Sequence, residues 1–241
     1  MKIQALCLVF IFTLTVTSCR KKLPNQKVIY EDSKSVDKPD VDKDTTAIRI
    51  ADLPILIEGT EVLIHPIGDL RLSETYSRSY GSSGTNQVSY SLSSFNRFKL
   101  TGQFQNLKFQ HIDSTSLKPL FNKEVQISSA TYLAELASKT DIKKMVYTLV
   151  DADTNRDAVL DQNDINSLYI SNADGTALFK LSKEYQELID WSYIANPQRL
   201  YFKSLEDINT NGTFDKEDKL HYYFLNLLNE DAQPEEYFPT D

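Results

Sequence analysis

Between residues 61 and 227 the chain is written in short apolar runs separated by turn residues. The runs are EVLIHPI (61–67), NLKFQHI (106–112), KKMVYTLV (143–150), SLYIS (167–171), ALFKL (177–181), LIDWSYI (188–194), RLYFKSL (199–205) and LHYYFLNL (220–227). Their length and their density of Tyr, Phe, Val, Ile and Leu predict β-strands, because branched and aromatic side chains pack well on a pleated surface. A helix is expected only near TYLAELASK (131–139).

The first fifty residues break this pattern. MKIQALCLVFIFTLTVTSC holds one Lys, an apolar core from Ile3 to Val16 and two small residues, Thr17 and Ser18, before Cys19. This is the layout of an export signal over residues 1–18. Its ending V-T-S-C resembles the lipobox of bacterial lipoproteins, which implies a lipid on Cys19 as the first mature residue. Cys7 leaves with the signal, so no thiol remains to form a disulfide and stability has to come from packing and from any bound metal. Residues 20–48 are rich in Lys, Asp, Ser and Pro without apolar period. Such composition buries too little surface to fold, and a lipidated disordered tether over residues 19–48 is expected.

An internal repeat organises the rest. NLKFQHIDSTSLKPLF aligns without gaps to SLYISNADGTALFKLS, Leu107 with Leu168 and Leu120 with Leu181, an offset of 168 − 107 = 61. The same offset brings Ala130 to Trp191 and Tyr132 to Tyr193. MVYTLVDADTN aligns to RLYFKSLEDIN at 207 − 153 = 54, pairing Tyr147 with Tyr201 and Tyr169 with Tyr223. The expected layout is a β domain over residues 49–229, with units of about 61–122, 123–182 and 183–229, and an acidic C-terminal tail over residues 230–241.

The second alignment carries the chemistry. DTNRDAVLDQND (153–164) and DINTNGTFDKED (207–218) each place an oxygen-bearing side chain at positions 1, 3, 5, 9 and 12 and a bulky apolar residue at position 8. Alternate residues of a tightly wound loop can aim at one centre, and a hard cation needs six or more oxygens, so this is the spacing of an EF-hand-type calcium loop. The candidate ligands are Asp153, Asn155, Asp157, the Val159 carbonyl, Asp161 and Asp164 in the first loop. In the second they are Asp207, Asn209, Asn211, the Thr213 carbonyl, Asp215 and Asp218. A register starting at Asp151 fails, because it puts Arg156, Ala158 and Gln162 at positions 6, 8 and 12. Position 6 calls for positive φ, which Gly212 adopts without strain and Ala158 does not. All donors are oxygens, which selects Ca2+, and an Asp rather than Glu at position 12 predicts lower affinity with some tolerance of Mg2+.

LYISNADGTALFKLS, LIDWSYI and RLYFKS together resemble a repeat of the TolB-type (PD40) β-propeller, whose blades combine an apolar strand, a D-G turn and a W-S motif. This chain departs from it: Trp191-Ser192 is followed by Tyr193-Ile194 instead of P-D-G, and the polar loops are an insertion. Propellers close with about four to eight blades. Three units of about 60 residues are too few for a ring, so the fold class expected is all-β, an open stack of antiparallel blade-like sheets.

Lys and Arg total 26 against 34 Asp and Glu. Without residues 1–18, which hold only Lys2, the balance is 25 − 34 = −9. That charge argues against nucleic acid and suits a cation binder. No G-x-S-x-G, H-E-x-x-H, phosphate-cradling glycine loop or cysteine pair is written here. His65, His111 and His221 stand singly in strands and read as structural. YSRSYGSSGTNQVSYSLSS (76–94) reads as a surface loop, with a Tyr- and Ser-rich recognition loop as the alternative. The expected function is therefore a non-enzymatic binding or scaffold module. It would be lipid-anchored in a bacterial cell envelope, at the periplasmic or surface face of the outer membrane, with an envelope protein or a glycan as partner. The alternative is a glycan-binding or hydrolytic envelope protein using carboxylate chemistry.

Overall fold

A computed structural model describes residues 26–30, 47–71 and 93–240; the signal, Cys19 and nearly all of the 76–94 stretch lie outside these residues. The described residues are all-β apart from one short helix, and their strands form three open antiparallel sheets.

The first sheet has the order β1 (Ala47–Ala51), β3 (Val62–Arg71), β6 (Asn106–His111), β7 (Lys118–Pro119), with β2 (Ile55–Leu56) also paired to β3. The second runs β11 (Phe179–Lys180), β10 (Asn166–Asn172), β9 (Lys144–Val150), β8 (Gln126–Tyr132), β5 (Lys99–Phe104), β4 (Ser93–Asn96). The third is β12 (Gln186–Ile194), β13 (Arg199–Glu206), β14 (Lys219–Asn226), β15 (Glu235–Tyr237). Every strand-like run identified by pattern is a strand, and the helix α1 covers Ala134–Thr140. Glu135 and Lys139 pair across one turn of α1 at 2.9 Å, and the helix ends where Asp141 turns left-handed (φ 61°) and its N–H returns to the Ala137 carbonyl.

The sheets stack face to face, with the second in the middle. Met145, Tyr147, Leu149 and Tyr169 on one of its faces meet Ile64, Leu107 and Phe109 of the first sheet. On the opposite face Val146, Leu168 and Ile170 meet Leu188, Leu200, Phe202 and Tyr223 of the third. Side chains alternate across a strand; a strand buried on both faces is therefore continuously apolar, as MVYTLV and LYI are.

The repeat survives in the hydrogen-bond register. Lys108 faces Pro119 in the first sheet and Tyr169 faces Lys180 in the second, 61 residues on at both positions. β8 and β12 are bulged at matching places, between Ile127 and Ser129 and between Leu188 and Asp190. One alignment changes. Tyr169 pairs with Tyr147 but Tyr223 pairs with Phe202, so Tyr147 is equivalent to Phe202 and not to Tyr201. The first crossover holds one more residue ahead of its polar loop, which shifts its second strand by one position and puts Tyr201 on the opposite face.

Val146, Leu168 and Ile170 then correspond to Tyr201, Tyr222 and Phe224, which lie half-buried on the outer face of the third sheet. An amphipathic aromatic suits an end of the stack, where one side stays wet. Tyr237 of β15 packs edge-on against Tyr201, Tyr222 and Phe224, and the Arg199 guanidinium lies 4.4 Å from the Phe224 ring centre.

Three boundaries differ from the sequence reading. The β4–β5 hairpin, assigned to the first unit, joins the second sheet beside β8, because Leu100 and Phe104 belong to the core between the first two sheets. Residues 235–237, placed in the acidic tail, form β15. Within the expected tether, residues 47 and 48 open β1, and Val28 is 1% exposed.

Candidate metal centres

Each polar loop joins the second and third strands of its sheet, β9 to β10 and β13 to β14. The loops therefore emerge from equivalent corners of two stacked sheets.

Six main-chain hydrogen bonds recur at the same positions of both loops. In the first loop the N–H of Asp157 donates to Asp153 Oδ1 (3.1 Å) and Asn155 Oδ1 (3.0 Å), and that of Ala158 to Asp153 Oδ2 (2.9 Å). Val159 donates to Asp157 Oδ1, Asn163 to Asp161 Oδ1 and Asp161 to Asp164 Oδ2. In the second, Asn211 donates to Asp207 Oδ1 (3.2 Å) and Asn209 Oδ1 (2.9 Å), and Gly212 to Asp207 Oδ2 (2.7 Å). Thr213 donates to Asn211 Oδ1, Glu217 to Asp215 Oδ1 and Asp215 to Asp218 Oδ2. In both loops the side chains of positions 1 and 3 thus share the N–H of position 5 and that of position 5 takes the N–H of position 7, while positions 9 and 12 close the far end.

The backbone matches too. Arg156 and Thr210 at position 4 have φ of 59° and 56°, and Ala158 and Gly212 at position 6 have 66° and 79°. Ala158 takes the left-handed turn that its side chain disfavours, at a strain of about 1 kcal/mol; the first loop is as regular as the second. The position-4 turns carry no sequence signal, since Arg and Thr seldom adopt positive φ.

The loops differ at position 12. Asp164 is fully buried, and its Oδ1 accepts the N–H groups of Thr154 (2.7 Å) and Asn155 (3.2 Å). Burial holds its carboxyl above the usual carboxylate range against the main-chain N–H groups of Asp161, Asn155 and Thr154, and the Asp153 charge pushes it the same way as burial. In the second loop Oδ1 of Asp218 is buried and accepts no hydrogen bond. Asp164 is therefore satisfied by the chain, whereas Asp218 presents a free carboxylate oxygen. Among the described residues no three His, Cys, Asp or Glu side chains form a cage by themselves; beside its carboxylates each loop also offers Asn side-chain oxygen and main-chain carbonyls, groups that a hard cation accepts.

Neighbouring groups that the spacing did not reveal complete the corner. Glu187, 8% exposed, accepts from the Asn166 N–H (2.9 Å) just after the first loop and from Lys27 Nζ (2.7 Å). Burial alone would raise the Asp151 carboxyl, but the Tyr169 hydroxyl and the Lys180 and Lys123 ammonium groups outweigh it and hold it low. Ile29, Asp151, Asp153, Arg156, Lys180 and Tyr185 line a cleft of about 170 Å³ beside the first loop. The three histidines each have a partner: His65 with Gln110, His111 with Glu61, and His221 between Glu206 and Glu236, both at 2.6 Å.

Among the described residues no helix is long and apolar enough to cross a membrane. No family model, curated protein or solved structure matches this chain.

Proposed function

We propose that this chain is a lipid-anchored protein of a bacterial cell envelope, whose stacked β domain is held at one corner by two calcium ions and serves as a non-enzymatic binding or scaffold module. The observation that carries the metal reading is the buried, unpaired Oδ1 of Asp218 in a loop with two further carboxylates at ligand positions, Asp207 and Asp215. A buried charged oxygen without a partner is costly, and a divalent cation is the partner that an all-oxygen loop selects. Asp207, Asn209, Asn211, Asp215, Asp218 and the Thr213 carbonyl would hold one ion. Asp153, Asn155, Asp157, Asp161 and the Val159 carbonyl would hold the other, with Asp164 closing the loop behind them. The ion supplies charge neutralisation, which lets like charges share a small volume. Mg2+ is expected to bind more weakly.

Asp218→Asn tests this by a change of sign. With a chelator the variant should be as stable as the parent or more so, because it removes an unpaired buried charge. In calcium it should lose the stabilisation of the second loop, about 2.7 kcal/mol when the free ion is a hundredfold above Kd. An equal cost in both conditions would make Asp218 a structural residue only.

The anchor is tested separately. Cys19→Ser should move the mature chain from the membrane to the soluble fraction or stall its processing, since a chain of net charge near −9 is repelled overall by an anionic bilayer. A variant that sediments with membranes and resists salt extraction would refute the lipid.

A further inference from the structure

Residues 26–30, QKVIY, lie across both loops. Lys27 and Val28 donate their N–H groups to the Gly212 carbonyl at 2.7 and 3.2 Å, and Gln26 Nε2 donates to the Asn211 carbonyl at 2.8 Å. Ile29 N–H reaches the Thr154 carbonyl at 2.8 Å, and Thr154 Oγ1 donates to the Lys27 carbonyl at 2.6 Å. Tyr30 donates its hydroxyl to Asp207 Oδ2 (3.1 Å), the first position of the second loop. Val28 is buried, and Lys27 is the counter-charge of buried Glu187.

We propose that this segment is a cation-dependent latch, which docks when the two loops are loaded and releases when they are stripped. The inference rests on the cation reading of the loops. The acceptors it uses are main-chain carbonyls at loop positions 2, 5 and 6, and their directions are set by the positive φ at positions 4 and 6. An unwound loop no longer presents them together. The carbonyl expected to bind metal is at position 7, so the main-chain bonds of the latch do not compete with the ion; only the Tyr30 hydroxyl shares a side chain with it, that of Asp207. Gly212 is the closest point of the contact. A Cβ there would lie 2.3 Å from the Val28 carbonyl oxygen, whereas Ala158 shows that a side chain at position 6 is compatible with the loop itself. The second loop needs glycine because the latch passes over it.

Two consequences follow. One segment bonded to both loops makes them bind cooperatively, since loading either favours the docked state that the other requires. It also sets the reach of the anchor. From Cys19 to Gln26 is 26 − 19 = 7 residues, about 25 Å at full extension, whereas from Cys19 to Ala47 is 47 − 19 = 28 residues, about 100 Å. With lipid on Cys19, calcium would hold the loop corner against the membrane, and its removal would let the domain stand off.

The test is amide hydrogen exchange on the full mature chain, in Ca2+ alone and in a calcium chelator, with Val28→Asp and Lys27→Ala as variants. Calcium should slow the Lys27, Val28 and Ile29 amides about tenfold or more, together with the loop amides. Either variant should weaken calcium binding about fivefold or more, the usual span of site coupling. Loop amides that slow while residues 26–30 exchange alike in both conditions would overturn the latch and leave the cation sites standing. Variants that bind calcium as tightly as the parent would overturn the coupling. No change in the loops either would overturn both the cation reading and the latch.

Discussion

Leu168→Ala is expected to destabilise the domain by about 2–5 kcal/mol. The side chain is fully buried between the second and third sheets. β10 carries it and is paired to β9 on one side and β11 on the other, so the backbone cannot move inward and the cavity stays open. Its equivalent one repeat on is Tyr222, at 222 − 168 = 54, half-buried on the outer face where no sheet follows. Tyr222→Ala should therefore cost only about 1 kcal/mol, the worth of its aromatic contact with Tyr237. Denaturant melts of the two variants measure the difference. Equal losses would mean that the third sheet does not end the stack.

That comparison depends on a repeat that is legible in the amino-acid sequence. The 61-residue offset was carried by apolar residues at matching strand positions, and these are the residues buried between sheets, as with Leu107 and Leu168. The polar ladders were legible for the same kind of reason: alternate Asp and Asn facing one centre leave a fixed spacing in the chain. What stayed hidden was structure made by main-chain atoms. β8 has Ser128 and Ser129 at its bulge and so lacked an apolar run. β15 is three residues long, and it adds one aromatic ring, Tyr237, and one carboxylate, Glu236, on His221. The docked segment 26–30 is held mostly by bonds to loop carbonyls, which leave no signature beyond the apolar trio Val28, Ile29 and Tyr30 in a polar stretch. The ligand positions of the first loop hold four carboxylates and those of the second three, a count the spacing gives; the spacing does not show that Asp164 Oδ1 is occupied by chain N–H groups whereas Asp218 Oδ1 is free.

The other large effect is that of calcium itself. Each loop brings three or four carboxylates at its ligand positions into a small volume, a repulsion that a bound cation would offset. A cation that binds only the folded chain stabilises it by RT ln(1 + [L]/Kd), about 2.7 kcal/mol per site at a hundredfold excess over Kd. Two filled loops should then add about 5 kcal/mol, a large part of a domain's usual stability. Some of the loop order does not depend on metal. The side chains of Asp153 and Asp207 also accept main-chain N–H groups, so Asp207→Ala, which strands a buried corner, should retain part of its cost in chelator.

Both the stabilisation and the latch stand on one statement, that these loops bind calcium. The measurement that tests it most directly is calorimetric titration of the chelator-stripped full chain with Ca2+, read for stoichiometry. Two ions bound per chain, falling to one in Asp218→Asn, is the result the loops predict; a chain that takes up none, with the same melting curve in calcium and in chelator, would contradict it.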